Sequence, residues 1–77
     1  MVEEMSEREY VVIIEPGENC WGAYSPDVPG CIATGATRDE AEANFAEALA
    51  FHFEGLAEDG DPIPEPTSYV TRVKVAA

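Results

Sequence analysis

The chain has 77 residues, room for one domain and a small core, and 45% of them are hydrophobic, too many for a disordered polymer. Sixteen acidic and 4 basic residues give a formal net charge of −12. That balance argues against a phosphate-backbone binder, because phosphate contacts need Lys and Arg. It favours either a simple solubilising role or electrostatic steering of a basic protein partner.

The N-terminus, Met1 to Arg8, reads as a flexible acidic tail, and residues 9–77 as the folded domain. An acidic start is unlike a secretory signal, and no apolar run reaches the roughly 20 residues that span a bilayer. The chain is therefore expected to be cytoplasmic, with no membrane partner and with reduced thiols. Cys20 and Cys31 are too far apart across the intervening turn to pair, and two buried free thiols are expected.

Tyr10-Val11-Val12-Ile13-Ile14 is β-branched and ends at Pro16-Gly17, so Glu9 to Glu15 is expected as the first strand. Asn19 to Ser25 is expected to return as the second strand, and Cys31 to Gly35 as a short third. Ser25-Pro26-Asp27-Val28-Pro29-Gly30 between them is rich in turn residues. A helix is expected over Arg38 to Asp59, with Thr37 as N-cap, Glu40 completing a Thr-x-x-Glu capping box and Gly60 closing the end. Asp61-Pro62-Ile63-Pro64-Glu65-Pro66 cannot be helical and reads as a stiff connector. Ser68 to Val75 reads as a last strand, with Thr71, Val73 and Val75 on one face and Arg72 and Lys74 on the other.

Helical spacing places Ala41, Phe45, Ala48, Leu49, His52 and Leu56 on a core stripe, with Glu40, Glu47, Glu54 and Glu58 opposite. Phe51 falls outside that stripe. Strand one is apolar on both faces, with Val11 and Ile13 turned away from Tyr10, Val12 and Ile14. One helix covers one face of a sheet, so Val11, Ile13 and Phe51 are candidates for self-association into a homo-oligomer, a dimer or larger. The alternative is a central strand whose second face stays exposed.

Catalytic chemistry finds little support. His52 is the one histidine and sits on an apolar stripe, as a core histidine does, and no Ser or Cys has a base beside it. Glu15 and Asp27 are the nearest approach to a metal-dependent nuclease pair, a weak one. Gly17, Gly22, Gly30 and Gly35 make no phosphate loop, and zinc lacks ligands. No cofactor and no metal are expected.

The Pro-Asp-Val-Pro-Gly-Cys turn, Ala48 to Leu56, and the Glu-Asp-Gly-Asp-Pro-Ile-Pro-Glu-Pro connector together resemble the HicB-like antitoxin domain over Tyr10 to Val75. The resemblance implies an α+β fold of β-β-β-α-β order: a mostly antiparallel four-stranded sheet with one long helix on one face, like a cut-down ribonuclease H. It implies an antitoxin that covers the active site of a small basic, HicA-like, messenger-RNA-cleaving toxin. Glu54, Glu58, Asp59, Asp61 and Glu65 are the candidate contacts with that partner. Many members carry a C-terminal DNA-binding segment; the 77 residues contain none, so no direct DNA binding is expected. A stand-alone oligomeric protein and a residual nuclease are the alternative readings.

Overall fold

The computed structural model describes residues 7–77; Met1 to Ser6, most of the expected acidic tail, lie outside the described residues. Three short strands precede one helix: β1 (Ile13–Pro16), β2 (Trp21–Tyr24), β3 (Ile32–Gly35) and α1 (Arg38–Asp59). The strands form an antiparallel sheet in the order β1-β2-β3. Ile13 faces Tyr24 and Glu15 faces Gly22 across the first pair; Tyr24 faces Ile32 and Ala23 faces Ala33 across the second.

Local chemistry explains the turns. Gly17 donates its N–H to the Cys20 carbonyl at 2.6 Å and closes the first hairpin. In the second connection Val28 N–H donates to the Ser25 carbonyl at 3.2 Å, and Gly30 has φ 86°, a left-handed conformation that costs other residues energy.

Both helix ends follow the capping expectation. Thr37 Oγ1 accepts from Glu40 N–H at 3.0 Å, while Glu40 Oε1 reaches back to Ala36 N–H at 2.6 Å. The reciprocal bond thus falls one residue before the N-cap. Gly60 (φ 74°) donates to Ala57, and Asp61 N–H donates to the Leu56 carbonyl at 2.9 Å, the paired bonds of a Schellman closure.

The core is thin. Among the described residues Ala23, Val28, Cys31, Ala41 and Phe45 are the buried hydrophobics, and only Phe45 and Val28 are large side chains with essentially no exposure. Small residues let α1 sit close on the sheet, mainly over β3. A Cβ on Gly35 would run into the Ala41 backbone nitrogen and lie 2.8 Å from the Glu40 carbonyl carbon. Both obstacles are main chain at the capped helix start, so relief requires moving the helix. Gly35→Ala is therefore expected to cost about 1–3 kcal/mol or more, the range for overpacking, measured as a lowered urea midpoint.

Several expectations need correction. The sheet has three strands among the described residues, not four. Ser68 to Val75 runs without pairing to the sheet, and Tyr69, Val70, Val73 and Val75 are 66–84% exposed. The three strands are also shorter than expected, since Glu9 to Val12 extends past the point where β2 turns away. Cys20 is exposed; Cys31 alone is a buried thiol, and both are free. His52 is half-buried at the margin of the core. Phe53, off the expected stripe, packs against the core with its ring 5.2 Å from that of Tyr10.

Candidate functional site

The acidic candidates gather where α1 ends. Glu54, Glu58 and Asp59 occupy its last two turns, Asp61 follows the Schellman closure, and Glu65 lies on the connector; all five are exposed. No basic residue occupies the last turn of α1. The C-terminal end of a helix carries partial negative charge and favours cations, so acids there raise the local free energy. Glu65 differs from the rest, because Arg8 is near enough for its charge to be felt. The Arg8 pKa is raised, first by its hydrogen bond with Tyr10 and then by Glu65.

Beside this acidic end an open groove of about 410 Å³ runs between α1 and the start of β3. Ile32, Ala48, Phe51, His52 and Leu56 form its walls, Gly30 and Cys31 its floor, and Asp59 its end. Phe51 is 77% exposed and Ile32 is 70% exposed. Burial raises the Cys31 pKa, which keeps the sulfur a thiol and a poor nucleophile.

The self-association candidates are not brought together. Ile13 shares the open sheet face with Tyr24 and Ile32, with half-buried Val11 two residues before it. Phe51 stands on the flank of α1 beyond β3. Ile32, which pairs with Tyr24 and lines the groove with Phe51, lies between the two patches.

Glu15 and Asp27 make no pair. Glu15 is exposed at the far end of the sheet, opposite Gly22, whereas Asp27 sits in the β2–β3 turn. The Asp27 carboxylate is committed to another purpose. It accepts from the Thr67 and Ser68 backbone N–H groups at 3.2 and 2.9 Å and from both hydroxyls at 3.0 and 2.9 Å. Tyr10 OH donates to the Pro64 carbonyl at 2.6 Å and fastens the same connector from the other side. Sequence reasoning missed this latch, because a turn Asp and a Thr-Ser pair forty residues away announce no contact.

The Asp27 pKa is lowered, foremost by the Ser68 N–H bond, with the remaining Ser68 and Thr67 bonds adding to it. A depressed carboxyl stabilises the fold above its unfolded value of about 3.9, and that contribution is lost as pH falls through the folded value. The latch is thus expected to hold at neutral pH and to open only as pH falls through the depressed folded value, below the ordinary carboxylate range. The Thr67 and Ser68 amide resonances, followed by NMR during acidification, should shift together with the Asp27 carboxyl carbon. Asp27→Asn should move them to their unlatched positions already at pH 7.

Among the described residues no group of three or more His, Cys, Asp and Glu side chains is placed to hold a metal ion. No helix of the described chain is long and apolar enough to cross a membrane.

Fold and site define a small α+β domain with a three-stranded sheet, one capped helix and an acidic helix end. Residues 10–75 match the model of the HicB-like antitoxin of bacterial toxin-antitoxin systems. The chain belongs to that family, which is one of antitoxins and not of enzymes. It is 41% identical over 56 residues to an uncharacterized 14.9 kDa protein of the rep-hol intergenic region of Haemophilus phage HP1, covering 73% of this chain and 42% of the relative. It is 37% identical over 59 residues to antitoxin HicB 2 of Photorhabdus laumondii, covering 77% and 42%. A UPF0150 protein of Thermoplasma acidophilum is 35% identical over 57 residues, covering 73% and 83%. The matched region thus spans less than half the length of the phage and Photorhabdus relatives. No solved structure matches the chain.

Proposed function

We propose that this domain acts in the cytoplasm as an antitoxin module that binds a small basic, HicA-like, RNA-cleaving toxin and covers its active site. Family membership supports the class of role, and one observation supports the surface. Glu54, Glu58, Asp59 and Asp61 crowd the helix end that electrostatics reserves for cations. Sites that break a local stability rule without compensation are where function is expected. A cationic partner surface would supply the missing compensation. Glu65 sits at the margin of this contact, partly answered by Arg8. The ribonuclease H-like reading of the fold asks for a fourth strand, which the C-terminal tail supplies only on pairing.

The direct test is an RNA-cleavage assay of a small basic, HicA-like toxin to which this chain is added. Added chain is expected to suppress cleavage with a sharp end point near stoichiometric ratio. Undiminished cleavage at large excess overturns the proposal.

A further inference from the structure

The tail from Tyr69 to Val75 has the alternation of a strand and pairs with no strand among the described residues. It leaves the body of the domain just after the Asp27 latch. The Cα radius of gyration, 15.0 Å, exceeds the about 11 Å of a compact chain this size. An exposed β-branched segment of this kind is a template for pairing. The sheet offers two edges, β1 and β3. Charge distinguishes between occupants and between edges. Residues 67–77 hold Arg72 and Lys74 and no acid, so every one of the 16 acids lies on the rest of the chain. Along the β1 edge, Glu9, Val11, Ile13 and Glu15 share the face turned from the helix, while Tyr10, Val12 and Ile14 pack toward the core. The tail has the matching pattern: Val70, Arg72 and Lys74 on one face, Tyr69, Thr71, Val73 and Val75 on the other. Laid antiparallel beside β1 with Lys74 against Glu9, the tail sets Arg72 against Val11 and Val70 against Ile13, and its apolar face joins the side bearing Tyr10, Val12 and Ile14.

We propose that the tail, residues 69–75, is a fourth strand given in exchange to the β1 edge of a second copy of this chain. The latch at Asp27 fixes the root of the tail, and Tyr69, Val70, Val73 and Val75 beyond it are exposed and open to a reciprocal exchange between two copies. Exchange also turns β1 from an edge strand into a central one and pairs its open backbone groups. The inference stands apart from the antitoxin reading, since it needs no toxin.

The test uses the purified full chain alone. Sedimentation at micromolar concentration is expected to give a dimer. In a mixture of differently isotope-labelled copies, filtered NMR contacts are expected between residues 71–75 of one copy and 10–14 of the other. Val73→Pro removes a strand donor from an exposed position where the single-chain fold has nothing to lose, and should weaken dimerisation at least tenfold. Arg72→Glu with Lys74→Glu should weaken it too and remove its salt dependence. A monomer at high micromolar concentration overturns the proposal. So does a dimer untouched by Val73→Pro, pairing of the tail within its own copy, or protection of the tail only after a basic protein is added.

Discussion

Phe45→Ala is expected to remove about 3–5 kcal/mol of stability, the range for a large aromatic lost from a core. Phe45 is 1% exposed and is one of two large side chains fully buried between helix and sheet. Ala23 and Ala41, its buried neighbours in the cluster, are too small to collapse into the space it leaves. A domain of this length commands about 4–12 kcal/mol in total, so the loss takes a large share of it. Urea unfolding followed by circular dichroism should show a much lower midpoint at unchanged slope, or an unfolded chain at 25 °C. Phe51→Ala is the contrasting case. With its ring 77% exposed, it should change stability by less than about 0.5 kcal/mol in a dilute single chain. A larger loss that grows with protein concentration would mean that Phe51 is buried against a second copy.

The helix was legible in the sequence to the residue because its ends are written in local chemistry. Thr37 and Glu40 act within one turn, and Gly60 alone takes the left-handed conformation that stops it. The order of the strands was legible for the same reason, since Pro16-Gly17 and Pro29-Gly30 break the chain where it must reverse. What sequence could not show depends on contacts across many residues. Asp27 looked like one more turn former or a distant relative of a nuclease carboxylate, yet it holds residues 40 and 41 positions away. Val28, in the same turn, is 1% exposed, although turn residues are expected outside. Phe53 escaped the stripe because Tyr10, from the chain entering β1, offers a ring beyond the sheet for it to meet. The tail has strand composition, but composition does not say whose sheet a strand joins. The acidic candidates were legible both as charge and as a helix end, since Gly60 marks where α1 stops; the same glutamates at the start of α1 would be ordinary capping charges.

Reversal of Glu58, Asp59 and Asp61 to Lys is expected to separate binding from folding. The three side chains are exposed and the closing bonds at Gly60 and Asp61 run through backbone atoms, so substitution leaves the Schellman closure intact. Lysines at this end complement the helix dipole, and the fold should gain roughly 0.3–1 kcal/mol for each favourable charge at low salt. Binding should move the other way. If the acids steer a basic toxin, association is faster at low ionic strength and slows as salt shortens the screening length toward about 8 Å. The triple variant should lose that acceleration, with a fall of roughly 10–1,000-fold in the low-salt on-rate, read by stopped-flow fluorescence against the basic partner. Dissociation should change less if the acids stand at the rim, and by more than association if they are desolvated at the centre of the contact. A more stable chain that binds the toxin as fast as before, with the same salt dependence, would place the contact on another surface, and the charges at the end of α1 would then need a different explanation.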